Sequence, residues 1–284
     1  MPVNSIRHIN SSEIYNTVYN LFIESCVFPD EKLEQFLVKA REAETTPHAV
    51  EIFDQLIENI SVAGEKNIPL CQDTGMAVVF LEIGQDVHIE GEYVEDCINR
   101  AVIDAYADGK FRMSVLSAIE RKNTQTNTPA VIHTSIVEGS NIKISVAPKG
   151  FGSENMSRIK MLSPSDGIDG IKEFIIDAVK SAGGNPCPPI SLGIGIGGTF
   201  ELAALNAKKA LLRPLGEFAK DDKIAKLEKE MLDKINSLGI GPMGLGGSTT
   251  ALAVNIIEHP THIAGLPVAI NVQCHCVRHK EATI

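Results

Sequence analysis

No window of the 284-residue chain approaches the roughly eighteen consecutive apolar residues that a membrane-spanning helix requires. The opening residues Met1-Pro2-Val3-Asn4-Ser5 lack both the basic segment and the apolar run of an export signal, which points to the cytoplasm. Positive charge is also scarce: 26 Lys and Arg stand against 36 Asp and Glu, a net charge of -10. That balance argues against nucleic acid or an anionic membrane as the main partner, and an anionic substrate would have to be held by local cations. There is no Cys-x-x-Cys pair and no dense cysteine framework. The six cysteines at 26, 71, 97, 187, 274 and 276 are spread along the chain, so reduced thiols or metal ligands are expected rather than disulfides. No internal repeat or low-complexity linker is evident.

What is present reads as one mixed α/β (α+β) domain over residues 1–284. A helical part, about 11–65, precedes a mixed and partly antiparallel part, about 66–284. The clearest early helix covers 47–60, with Thr46 as N-cap, Pro47 at the first helical position and Ile52, Phe53, Leu56, Ile57 and Ile60 on one face. Strands are expected at 77–83 and 87–89, then a helix over 93–108 whose apolar positions make Cys97 a core residue. Cys26 also reads as structural. β-rich runs at 130–138 and 141–147 around Gly139-Ser140 signal a hairpin, hence an antiparallel element. Helices follow at 171–180 and 221–238, the latter stopped by Gly239, and a strand at 267–272.

Between these elements lie the loops that draw attention. Pro69-Leu70-Cys71-Gln72-Asp73-Thr74-Gly75 presents a thiol and polar side chains between a φ-restricting proline and a permissive glycine. It is either a site or an ordinary turn with a half-buried cysteine. Lys149-Gly150-Phe151-Gly152-Ser153-Glu154-Asn155 offers free backbone N–H groups to an anion, or is a plain connection. Asn185-Pro186-Cys187-Pro188-Pro189 stiffens the chain around a cysteine, as suits a ligand. Gly193-Ile194-Gly195-Ile196-Gly197-Gly198 satisfies the dinucleotide fingerprint, but the strand expected before it is short and follows two prolines, so a nucleotide-binding dehydrogenase is the weaker alternative. Its glycines would still bare a helix N-terminus to negative charge. The glycine-dense run 239–248 suggests close approach of backbone to a cofactor.

Cys71, Cys187 and Cys274 each sit in a loop or at a strand end. Three thiolates can hold three irons of a 4Fe-4S cluster, although zinc with Cys and His ligands would suit the same residues. Taken together and in this order, residues 71–75, 149–155, 185–189, 241–247 and 272–275 resemble the class I, iron-sulfur fumarate hydratases, specifically their alpha subunit or N-terminal domain. The resemblance runs from about residue 10 to the end.

That resemblance implies a hydro-lyase interconverting malate and fumarate, or acting on a related 2-hydroxy dicarboxylate such as L-tartrate. It implies Cys71, Cys187 and Cys274 as ligands of a 4Fe-4S cluster with one open iron. Gln72, Asp73, Arg112 and the backbone at Gly150 and Gly152 fall at substrate-binding positions. Asp73 and His262 are the catalytic candidates, His262 supplied either within the chain or from across a subunit interface. Phe151 and Cys276 depart from the family pattern, and Cys276 competes with Cys274 as third ligand. Because the chain stops soon after Cys274, a separate beta subunit is expected to supply the remaining cations and the proton-transfer group, in a homo-oligomer of alpha-beta units.

Overall fold

The computed structural model describes residues 6–30 and 32–284, so the opening residues 1–5 lie outside the described part. In chain order it contains β1 (Arg7–Asn10), α1 (Ser11–Val27), α2 (Leu33–Ala43), α3 (Pro47–Lys66), β2 (Met76–Gly84), β3 (Val87–Glu90), α4 (Val94–Asp108), β4 (Val131–Val137) and β5 (Ile142–Lys149). There follow α5 (Phe151–Glu154), β6 (Arg158–Leu162), α6 (Gly167–Ala182), β7 (Ile190–Gly197), α7 (Phe200–Ala210), α8 (Asp222–Asn236), β8 (Ala251–His259), β9 (Leu266–Gln273) and β10 (Lys280–Thr283). The mixed α/β class is as expected. Among the described residues no helix is long and apolar enough to cross a membrane. The chain divides into two compact units, one from Met1–Asp30, Val62–Gly150 and Arg278–Ile284, the other from Glu31–Ser61 and Phe151–Val277.

In the first unit, Asn10 caps α1 and forms a capping box with Glu13, satisfying N–H groups that the helix cannot. The sheet has the order β10-β5-β2-β4. Here the expected hairpin fails. β4 and β5 do not pair with each other: β2 lies between them, parallel to β4 and antiparallel to β5. The Gly139-Ser140 turn therefore arcs over the end of β2, where Gly84 N–H donates to Asn141 O and Asp86 N–H to Gly139 O. A two-residue turn signal reports a chain reversal, not which strand fills the gap. β1, just ahead of the expected helical part, pairs in parallel with the expected strand β3. Phe22, Tyr106, Val79, Leu81, Ile144 and Val146 form the buried core.

In the second unit the sheet order is β6-β9-β7-β8, with β7 antiparallel to β9 and parallel to β8. The expected α8 is capped by Asp221, and its buried Leu227, Met231 and Ile235 join Leu192, Ile194 and Val254 in the core. The dinucleotide fingerprint has a different meaning in the structure. Gly193 and Gly195 lie inside β7 rather than in a loop, and a Cβ on them would stand 2.0 Å from the carbonyl oxygens of Ala207 and Ala203 on α7. These glycines let a helix lie directly on a strand, so they expose no backbone at a helix N-terminus to an anion. Two glycines of 239–248 are accounted for by backbone meeting backbone, Gly241 against Gly246 and Gly244 against Gly184, while a Cβ on Gly247 would meet the side chains of Glu44, Ala49 and Pro242.

Candidate functional site

The loop 71–75 is held rigidly inside the first unit. Gly75 has φ +79, and a Cβ there would stand 2.6 Å from the Lys149 backbone, so glycine is required. Asp73 Oδ1 accepts from Gly75 N–H at 3.0 Å, closing a local turn. The Tyr106 hydroxyl donates to the carbonyls of Thr74 and Gly75 at 2.9 and 3.0 Å, and Asn127 Nδ2 donates to Gly75 O at 3.1 Å. Burial pushes the Tyr106 phenol well above its usual range, which keeps it a donor. Arg278, 1 % exposed, donates from Nη1 to Asp73 O at 2.7 Å. Gly150 lies against this group, since a Cβ on it would come 3.0 Å from Asp73 Oδ2 and 3.3 Å from Arg278 Nη2.

Thr74 explains how Gln72 and Arg112, forty positions apart, come to line one cavity. Its buried hydroxyl accepts from Arg112 N–H at 3.0 Å and lies 3.3 Å from Arg112 O. Asn127 extends this bracing by accepting from Ser114 and Val115 N–H. The resulting open cavity, about 510 Å³, is lined by Cys71, Gln72, Thr74, Lys110 and Arg112 beside Ile68 and Pro69.

Lys110 was not among the residues singled out from sequence. It follows the C-cap Gly109 of α4 and adopts φ +53. Its N–H donates to Ala107 O and the N–H of Phe111 to Tyr106 O, the pair of bonds that closes a helix with a left-handed residue. Glycine is the usual occupant of that position, and an L side chain there costs about 1–2 kcal/mol. The only advance signal is a lysine next to a helix-ending glycine.

In the second unit, Cys187 and the end of β9 are brought together. His275 N–H donates to Cys187 O at 3.3 Å, and its Nδ1 lies 3.2 Å from the same carbonyl. Cys187 has φ +55, and Met243 N–H braces its loop through Pro188 O at 2.8 Å. The Gly152 Cα faces the same loop, 3.7 Å separating an added Cβ from Asn185 O. His262 is not brought there. Thr261 donates to Gly198 O, beyond the far end of β7, whereas Cys187 precedes its beginning. Eight extended residues put roughly 25 Å between them. His262 instead stands exposed beside a shallow cavity with Ile168 and Ile263, its Nδ1 accepting from Ala264 N–H at 3.2 Å.

The six cysteines, none in a disulfide, divide cleanly by accessibility. Cys71 and Cys274 are half-buried and Cys187 exposed, while Cys26, Cys97 and Cys276 are buried. Burial pushes the Cys26 thiol up to about 12 and raises that of Cys97, whose Sγ donates to Ser11 O. Cys276 Sγ lies 3.4 Å from His275 Nε2. Among the described residues no three His, Cys, Asp or Glu side chains are already grouped around a common metal position. Cys71, Cys187 and Cys274 are the more accessible thiols, and soft thiolate is the preferred ligand of an iron-sulfur cluster.

Comparison with known proteins adds to this geometry. The model of a family described as Fumarate hydratase (Fumerase) matches residues 15–283. A protein of Methanocaldococcus jannaschii named "Putative L(+)-tartrate dehydratase subunit alpha" is 45% identical over 269 residues, covering 92% of this chain and 94% of that one. The L(+)-tartrate dehydratase subunit alpha of Escherichia coli (strain K12) is 31% identical over 260 residues, covering 90% and 84%.

Proposed function

Since the chain belongs to the Fumarate hydratase (Fumerase) family, we propose that it is the alpha subunit of a hydro-lyase that dehydrates a small 2-hydroxy dicarboxylate. The carrying observation is the cavity in which an accessible thiol, a glutamine and an arginine converge, Cys71, Gln72 and Arg112. Arg112 is the carboxylate anchor, because its planar fork can form two parallel hydrogen bonds to one carboxylate. Gln72 contributes amide donors and an acceptor to a hydroxyl or carboxylate. Asp73, tied down by Gly75 and Arg278, is oriented rather than mobile. Backbone at Gly150 and Gly152 adds contacts to the anion.

We assign Cys71, Cys187 and Cys274 as ligands of a 4Fe-4S cluster, with the two compact units acting as one catalytic domain. When bound, such a cluster supplies a Lewis acid for loss of the hydroxyl group. In the net reaction the C–O bond breaks with its electron pair, the neighbouring carbon gives up a proton, and water and an alkene form. The proton must go to a positioned base. In one chain His262 stands far from Cys187, so its catalytic role requires a second copy, in a homo-oligomer of alpha-beta units. A beta subunit supplies the remaining cations and the principal proton-transfer group. Reduced thiols throughout accord with a cytoplasmic setting.

Malate, with fumarate as product, is one substrate that fits this chemistry. L(+)-tartrate is the second, favoured by the names of the two relatives. The deciding experiment is anaerobic co-expression with the candidate beta chain and assay of malate and both tartrate enantiomers, alongside reconstituted alpha chain alone. Turnover of one hydroxydicarboxylate that depends on both chains is expected. Equal turnover by alpha alone would refute the two-subunit proposal, and no turnover of any of them by a cluster-loaded complex would refute the reaction.

A further inference from the structure

We propose that Lys110 is a second substrate-binding cation of the Cys71–Gln72–Arg112 cavity, and that it sets the preference for doubly charged over singly charged substrates. The inference rests on the assignment of this cavity as the substrate site and adds to it a cation on this chain beyond Arg112.

Three observations carry it. First, Lys110 lines the same cavity as Arg112, within a chain of net charge -10, so two cations at one opening mark a local reversal of the overall field. Second, the lysine occupies the left-handed position of a helix-closing motif whose two hydrogen bonds are both formed, from Lys110 N–H and Phe111 N–H. Glycine would close that helix with less strain, and a glycine is present one residue earlier, at 109, with an ordinary φ of -72. The motif needs the backbone conformation and makes no use of the side chain. Strain kept at a cavity lining is the pattern expected when a side chain has work to do there. Third, the backbone around Lys110 is fixed on both sides. Phe111 is buried edge-on against Tyr106, and Tyr106 in turn holds the Thr74 and Gly75 carbonyls of the Cys71 loop. The lysine stem thus starts from a defined point relative to Gln72 and Arg112, while its exposed ammonium keeps the freedom to meet a carboxylate.

Arg112 and Lys110 differ in the chemistry they offer. A guanidinium specifies a planar, two-pronged geometry, whereas an ammonium is a point charge that tolerates variation in the position of the second carboxylate. The pair would accept dicarboxylates that differ in substitution between their carboxylates and discriminate against monocarboxylates.

The test compares wild type, Lys110→Arg, Lys110→Met and Lys110→Gly in the assembled alpha-beta holoenzyme. Binding of succinate and of butyrate is measured by calorimetry, KM and kcat are measured for the hydroxydicarboxylate that wild type converts, and urea midpoints are recorded. Lys110→Met and Lys110→Gly are expected to weaken succinate binding and raise KM about fivefold, the scale of an exposed charge contact, with kcat little changed. Butyrate binding should be the same in all four proteins, Lys110→Arg should retain succinate binding, and Lys110→Gly should unfold at higher urea than wild type. Succinate binding unaltered in Lys110→Met and Lys110→Gly would overturn the proposal, leaving Lys110 a solvated surface residue. Succinate binding decides the role of Lys110 even if wild type converts no hydroxydicarboxylate, an outcome that would refute the reaction instead.

Discussion

The two four-stranded sheets among the described residues share one wiring diagram. In the first, β10-β5-β2-β4 alternates as antiparallel, antiparallel and parallel pairs. In the second, β6-β9-β7-β8 does the same, with β7 in the place of β2, β8 of β4, β9 of β5 and β6 of β10. Each edge strand comes next in the chain after a strand of the other sheet: β6 follows β5, and β10 follows β9. The candidate residues sit on corresponding connections. Cys71 precedes β2 as Cys187 precedes β7, and Gly150 follows β5 as Cys274 follows β9. The two halves nevertheless fill their interiors differently. β2 reads Met-Ala-Val-Val-Phe-Leu-Glu-Ile-Gly and packs by side-chain volume, whereas β7 reads Ile-Ser-Leu-Gly-Ile-Gly-Ile-Gly and packs by letting α7 touch its backbone. Shared topology therefore does not require shared sequence, because sheet order depends on connection lengths and on which faces are apolar.

The strongest test of the correspondence between the two cysteine loops is substitution. Cys71→Ser and Cys187→Ser, and with them Cys274→Ser, should each abolish cluster content and turnover, since a hydroxyl is a poor replacement for thiolate on iron. Cys26→Ser and Cys97→Ser should retain both. Iron and sulfide analysis checks this, and retention of the cluster in Cys274→Ser with loss in Cys276→Ser would transfer the third position to Cys276.

The contrast in packing can be broken at Gly195. Gly195→Ala places a Cβ 2.0 Å from Ala203 O, and is expected to cost about 3 kcal/mol or more, at the upper end of overpacking. The counterpart change in the first sheet, Val79→Ala, removes buried methyl groups and should cost about 1–3 kcal/mol by cavity formation. Urea unfolding of the two variants measures the difference. An unchanged midpoint in Gly195→Ala would show that α7 has room to retreat.

A smaller effect is expected at Arg112, the arginine of the first unit's cavity. Arg112→Lys preserves charge but loses the fork, and kcat/KM should fall about tenfold, equivalent to roughly 1.4 kcal/mol of transition-state stabilisation. Kinetics identical to wild type would place Arg112 outside the site.

The smallest effect concerns His279, which leads into the β10 strand of the first sheet. Burial lowers its pKa from the usual 6.5, outweighing the opposing pull of Asp30, whose Oδ2 lies 3.8 Å from Nε2. The unfolded chain then binds this proton more readily than the folded one. The contribution of His279 to stability is fully present above about pH 6.5 and is lost progressively as pH falls below that value. Wild type should lose more urea resistance between pH 7.5 and pH 5.5 than His279→Asn, and equal losses would dismiss the histidine as the acid-sensitive group.

By itself the sequence determined the class of the fold, the helices at 47, 94 and 222, and the separation of core cysteines 26 and 97 from those in loops. Each of these follows from local periodicity, capping and loop chemistry within a few residues. It also presented Cys71, Gln72 and Arg112 as candidates, through motif order. Only the tertiary structure decided that β2 lies between β4 and β5, that the glycines of β7 receive a helix rather than a phosphate, and that His262 and Cys187 lie at opposite ends of one strand. Those outcomes depend on which distant segment takes a vacant sheet edge or packs on a bare backbone. The same is true of Thr74, Tyr106, Asn127 and Arg278, which hold the Cys71 loop through hydrogen bonds across large sequence separations. Such partners leave no periodic mark, because a single hydrogen bond constrains one atom of one residue, whereas amphipathic burial constrains a whole face.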